Sequence, residues 1–123
     1  MQKKVMLVDD AAIIRLILRD ILTACGYEVV AECETGREAV EKYKELKPDL
    51  VTLDITMPEM SGLEALNEIL KFDPQAKIVM VTAVDEKESL IRAVKLGASD
   101  YIVKPFEEER VIAAVKNIFE TKS

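Results

Sequence analysis

The sequence predicts an α/β fold, a parallel sheet covered by helices on both faces, and three observations lead there. Short, nearly continuous apolar runs with β-branched members recur five times along the 123 residues, as strands buried on both faces do. Between them lie stretches with apolar residues at i, i+3, i+4 and i+7, the stripe of a core-facing helix. Capping signals and glycine stops separate the two patterns, and strict strand-helix alternation implies parallel pairing through right-handed crossovers.

Val5–Val8 is the first strand, ending in Asp9-Asp10. The helix after it carries Ile14, Ile17, Leu18, Ile21, Leu22 and Cys25 and stops at Gly26. Tyr27–Ala31 is the second strand; Thr35 and Glu38 then match a capping box, and Ala39, Val40, Tyr43 and Leu46 carry a helix to Lys47-Pro48. The third strand, Leu50–Leu53, runs straight into Asp54, where Met57-Pro58 prevents an immediate helix and leaves a loop around the carboxylate. Ser61 and Glu64 form the next capping box, opening a helix through Leu66, Ile69 and Leu70. Ile78–Val81 is the fourth strand, ending at Thr82; Asp85 with Glu88 caps a helix through Leu90, Ala93 and Val94 that closes at Gly97. Tyr101–Val103 is the fifth strand, ending at Lys104-Pro105, and a last helix follows through Val111, Ile112, Val115, Ile118 and Phe119.

No linker or low-complexity run interrupts this series, so residues 1–123 read as a single domain, long enough to bury roughly two thirds of its unfolded surface. The formal charge is −6, from 17 basic and 23 acidic residues with the basic ones scattered, which argues against direct binding to nucleic acid or an anionic membrane. Cys25 and Cys33 lack metal-type spacing and read as small core hydrophobes in a reducing compartment. No apolar segment approaches membrane-spanning length and no secretory leader is recognisable, so the expected location is cytoplasmic. Histidine is absent, which removes an imidazole base, a His metal ligand and a Ser-His-Asp triad.

In a parallel sheet the C-terminal strand ends lie along one edge, where ligands collect. That edge would gather Asp9, Asp10, Asp54, Thr82 and Lys104. Carboxylates a few ångströms apart repel by roughly 1 kcal/mol per pair in water and about 4 at an effective dielectric of 20, so the cluster favours raised pKa values or a bound cation. Hard oxygen donors select Mg²⁺ or a similar ion, which keeps positions open for phosphate oxygens. Opposite a lysine and a hydroxyl, such a site suits a phosphoryl group, with one carboxylate attacking in line to form an acyl phosphate. No general base is needed, because a carboxylate is already ionised at pH 7.

Taken singly, these residues are ordinary: an Asp pair that caps a helix, a strand-end lysine, a β-branched strand threonine, a half-buried tyrosine. Jointly, Asp9-Asp10, Asp54, Thr82 and Lys104-Pro105, with Met57-Pro58, Gly62 and Tyr101, closely resemble the receiver domain of two-component response regulators. The similarity runs through essentially the whole chain and is to a stand-alone receiver of the CheY-like type. The resemblance implies a doubly wound, flavodoxin-like sheet with strand order 2-1-3-4-5. It implies that Asp54 is the phosphoacceptor, that Asp9, Asp10, Asp54 and the backbone carbonyl of Thr56 hold Mg²⁺, and that Lys104 pairs with the phosphoryl group. Thr82 and Tyr101 become the switch pair, and cis geometry at Lys104-Pro105 would aim the lysine into the pocket.

The partners implied are a sensor histidine kinase and a downstream protein, either a motor switch or a phosphorelay protein. The chain would be a monomeric signalling receiver that catalyses its own phosphorylation and slow dephosphorylation, with chemotaxis as a candidate pathway. On the first helix, Ile14, Ile17, Leu18 and Ile21 define the inward face, leaving Ile13 and Leu16 outside it as a docking patch for the kinase. Thr56 and Val84 would flank the path of an attacking water, and Val84 has no polar group to orient it, hence slow loss of the phosphoryl group.

Other readings fit less well. A phosphorelay intermediate differs only in its partners. A haloacid-dehalogenase-type phosphotransferase wants a second Asp two residues after its nucleophile, where Thr56 stands. A flavodoxin-like FMN carrier wants a Ser/Thr/Gly loop after the first strand, where Asp9-Asp10-Ala11-Ala12 would repel phosphate. Neither a P-loop nor a dinucleotide glycine motif is present.

Overall fold

The computed structural model describes residues 2–120. Ten elements alternate: β1 (Lys4–Val8), α1 (Ala12–Ala24), β2 (Glu28–Cys33), α2 (Gly36–Leu46), β3 (Leu50–Asp54), α3 (Gly62–Phe72), β4 (Ile78–Ala83), α4 (Lys87–Leu96), β5 (Asp100–Lys104) and α5 (Glu108–Glu120). All strand pairs are parallel, in the order β2-β1-β3-β4-β5. This is the expected doubly wound sheet, with its order reversing between β1 and β3.

Side chains of successive strand residues point to opposite faces, so the sheet divides the core in two. Met6, Val8, Val51 and Leu53 belong to the cluster that Tyr43 of α2, Leu66 and Ile69 of α3 and Ala93 of α4 complete. Val5, Leu7, Leu50 and Val79 belong to the other, completed by Leu18 and Leu22 of α1 and Val111 and Val115 of α5. Each fully buried side chain of this size stabilises the fold by about 2 kcal/mol. No helix among the described residues is long and apolar enough to cross a membrane.

Several local expectations change. β2 runs to Cys33, two residues past Ala31, because its pairing with β1 continues through Val8↔Cys33 after a register shift between Val5 and Met6. On α1 the packed stripe is centred on Leu18, Ile21 and Leu22; at about 100° per residue this leaves Ile17 at its margin, 39% exposed. Cys25 lies past the end of that helix and is exposed, whereas Cys33 is buried, its thiol pushed up to about 12 by burial and then by the charge of Glu38; both are free. Val94 is half exposed, since α4 buries only Ala93.

The caps are mixed. Ser61 and Glu64 form the reciprocal capping box. Thr35 accepts from the Glu38 amide, but the Glu38 carboxylate accepts from the amide of Glu34, one residue before the cap. Asp85 does not cap α4: a turn from Ala83 to Glu86 delays the helix to Lys87, and the capping position falls to Glu86, whose carboxylate is engaged by Thr56 instead.

Thr52 lies in the middle of β3, 1% exposed, and its hydroxyl has no hydrogen-bond partner among the described residues. A buried hydroxyl without a partner costs about 1–3 kcal/mol of desolvation. Thr52→Val keeps the shape and removes that cost, so it is expected to raise stability by about 1 kcal/mol in urea unfolding. A loss of similar size would show that the hydroxyl is satisfied.

Candidate functional site

Strand register builds the site. Val8 pairs with Leu53, so Asp9 and Asp54, each one residue further on, emerge side by side at the C-terminal edge. Asp9 and Asp54 are buried, at 2% and 7% exposure, while Asp10 is exposed. One carboxylate oxygen from each of the three lies within 4.8 Å of the others. Lys104, at the end of β5, reaches across the ends of β4 and β3 to place its Nζ 2.9 Å from Asp9 Oδ2 and 3.5 Å from Asp54 Oδ1. The Lys104-Pro105 peptide is cis.

The loop after Asp54 folds tightly over this edge. The Gly62 amide donates to the Ile55 carbonyl at 2.6 Å, and a Cβ at Gly62 would lie 2.0 Å from the carbonyl oxygen of Asp54. Only glycine permits the start of α3 to sit there. Gly36 does the same for α2, where a Cβ would meet the Met60 carbonyl oxygen at 2.1 Å.

Charge follows from the geometry. Burial, then the charge of Asp9, raises the Asp54 carboxyl to about 6; the charge and hydrogen bond of Lys104 oppose this, and Asp10 adds to it. Burial by itself would lower the Lys104 pKa, but the hydrogen bond to Asp9 and the charges of Asp54 and Asp9 outweigh it and the ammonium is raised. Three ionised carboxylates and one ammonium leave a formal −2, matched to a divalent cation, and the donors are all hard oxygens.

The sequence profile of the response regulator receiver domain matches residues 5–116. This chain belongs to that family. Among receivers, it is 56% identical to the chemotaxis protein CheY of Thermotoga maritima over 96% of this chain and 98% of that one. It is 53% identical to CheY of Bacillus subtilis, over 94% and 96% respectively. A solved structure of the CheX–CheY–BeF3–Mg²⁺ complex from Borrelia burgdorferi matches with a TM-score of 0.92 at 35% identity, covering 97% of this chain and 90% of that one. The protein is thus a response regulator.

Within this receiver, Asp9, Asp10, Asp54 and Lys104 converge as expected from the sequence. Thr82 is buried at the end of β4, one residue beyond the Asp54↔Val81 pair, and its hydroxyl donates to the Ala83 carbonyl at 3.3 Å. Tyr101 is 42% exposed, its ring beneath the Arg110 guanidinium at 5.8 Å. Beside it a groove of about 360 Å³ is lined by Lys87, Leu90, Ile91, Val94 and Lys95. Ile13 and Leu16 are exposed on α1, and Ile17 extends their patch.

Val84 is exposed, and the Thr56 hydroxyl donates to Glu86 at 2.9 Å, so a polar group from the β4–α4 loop does reach the rim of the site. Sequence reasoning missed Glu86, and it missed Arg15, whose Nη1 donates to the Asp9 carbonyl at 2.6 Å. The one signal for Arg15 is that it has no acidic residue three or four positions away on its helix, which leaves any ion-pair partner to come from elsewhere in the chain.

Without divalent metal, the raised Asp54 carboxyl makes the native state bind protons more readily than the unfolded chain, whose Asp titrates near 4. The charged carboxylate therefore costs stability above pH 6, and the cost disappears as pH falls from about 6 to about 4. Asp54→Asn is expected to be more stable than the parent at pH 7.5 by about 1–2 kcal/mol, with the gap closing at pH 4.5. Thermal unfolding in EDTA at the two pH values tests this. A gap that widens on acidification would mean that Asp54 is not the strained group.

Proposed function

We propose that this receiver takes a phosphoryl group from a histidine kinase onto Asp54 and that the event is read out by a downstream protein in chemotaxis. The single observation that carries the acceptor assignment is the buried carboxylate of Asp54, between Asp9 and Lys104 at the edge of the sheet. The pathway rests on the chemotaxis proteins that the chain resembles at 53–56% identity.

An oxygen of Asp54 would attack phosphorus in line, the phosphorus–nitrogen bond of the donor's phosphohistidine would break, and the imidazole would leave with a proton. Asp9, Asp10, Asp54 and the backbone carbonyl of Thr56 would hold Mg²⁺, which when bound neutralises phosphoryl oxygens and relieves the repulsion among the carboxylates. Lys104, already aimed at Asp9 and Asp54, would turn to the new phosphoryl oxygens. The Thr82 hydroxyl would exchange the Ala83 carbonyl for a phosphoryl oxygen, a charge-assisted bond worth about 1.5–3 kcal/mol, enough to shift a two-state equilibrium by roughly one to two decades.

Movement of Thr82 would draw Tyr101 inward from its exposed position and reshape the groove beside α4, altering what the α4-β5-α5 face binds. Exposed Val84 leaves one side of the water path apolar, consistent with slow hydrolysis. Ile13 and Leu16 would seat the helical bundle of the kinase, next to the acidic notch.

Incubation with acetyl phosphate and Mg²⁺ is expected to raise the intact mass by one phosphoryl group, and EDTA or Asp54→Ala to abolish the gain. An equal gain in Asp54→Ala would remove the acceptor assignment. Replacing Ile13 and Leu16 together by Lys is expected to slow transfer from a phosphorylated kinase by about ten-fold or more while acetyl phosphate reacts as before. Equal slowing with both donors would place the defect in the site rather than in docking.

A further inference from the structure

The Asp9–Asp10 turn is held by the side chain of Arg15. Arg15 lies on the first turns of α1 with its side chain only 13% exposed. Its Nη1 donates to the backbone carbonyl of Asp9 at 2.6 Å, and its Nε donates to Glu32 Oε1 on β2 at 3.0 Å. The second oxygen of Glu32 meets Arg19 Nε at 3.3 Å. On the other side of the turn, Asp9 Oδ1 accepts from the Ala11 amide at 2.9 Å, and the Asp9 amide donates to the Cys33 carbonyl at 3.0 Å.

The peptide that joins the two clustered carboxylates is therefore gripped at its carbonyl by a rigid guanidinium fork, itself anchored on the neighbouring strand. A lone turn would let Asp10, which is exposed, swing into water away from Asp9 and Asp54, as repulsion favours. Glu32, shared with Arg19, offsets the charge of Arg15 only in part, and what remains repels a cation, so any affinity that Arg15 adds must come through orientation. Outer groups that orient metal ligands typically account for about ten- to a hundred-fold in affinity.

We propose that Arg15 is a positioning residue for the cation site: by fixing the Asp9 carbonyl it holds Asp9 and Asp10 facing Asp54. This rests on the assignment of the three carboxylates as the Mg²⁺ site. Arg19 supplies the control, since its ion pair with Glu32 joins the same two elements and no bond from it to Asp9 is part of this network.

The test is calorimetric titration of the whole protein with MgCl2, with folding checked by circular dichroism. Arg15→Met is expected to weaken Mg²⁺ binding by about ten-fold or more, and Arg19→Met to leave it within about two-fold of the parent. A merely structural staple would lower unfolding temperature in both variants without moving the dissociation constant. Should Arg15→Met not fold, Arg15→Gln, too short to reach the carbonyl, is held to the same criterion. Parent-like affinity in the Arg15 variant, or equal loss in the Arg19 variant, overturns the inference while the acceptor assignment stands. A parent that binds no Mg²⁺ overturns the inference together with the cation-site assignment beneath it.

Discussion

Holding Asp9, Asp10 and Asp54 with oxygens inside 4.8 Å opposes a repulsion of about 4 kcal/mol per pair at an effective dielectric of 20. Lys104 offsets part of it, and the Asp54 carboxyl stays raised, by burial first and then by the charge of Asp9. A site under this tension responds strongly to any added charge: a proton, a divalent cation or a phosphoryl group each changes which arrangement is lowest in free energy. The sheet sustains the tension because β1 and β3 are buried strands locked by register, and separating Asp9 from Asp54 would require breaking that ladder.

The surroundings divide into rigid and adaptable parts. On the rigid side, Gly62 lets α3 begin against the Asp54 carbonyl, and Arg15 clamps the Asp9 carbonyl from α1. On the adaptable side, Thr82 holds only a long hydrogen bond to Ala83, Tyr101 is half out in solvent, and Glu86 and Thr56 meet across two loops at an exposed rim. The proposed function needs both, since in-line transfer would demand fixed carboxylates whereas signalling would demand neighbours that can move at small cost.

Periodicity was sufficient to place ten elements in order and type, because burial on both faces of a parallel sheet imposes continuous apolar strands and a helical repeat between them. It placed Asp9, Asp10, Asp54, Thr82 and Lys104 at strand ends, and parallel pairing alone brings such ends to one edge. It misjudged Ile17, Cys25 and Val94, whose exposure depends on how each helix is rotated and where it stops. It also misplaced the cap of α4, where Glu86 was drawn to Thr56, a residue thirty positions away.

Local pattern and residue type thus set the alternating fold and the chemical inventory of the acidic notch. Packing decided that Lys104 lies nearer Asp9 than Asp54, that Gly62 admits the Asp54 backbone, and that Arg15 grips the Asp9–Asp10 turn from α1 while anchored to Glu32 of β2. Lys104 and Asp9 lie 95 residues apart, and even the pairs nearer in the chain meet only where separate elements fold together. Such contacts follow from register, helix rotation and side-chain reach, quantities set only once all five strands are packed.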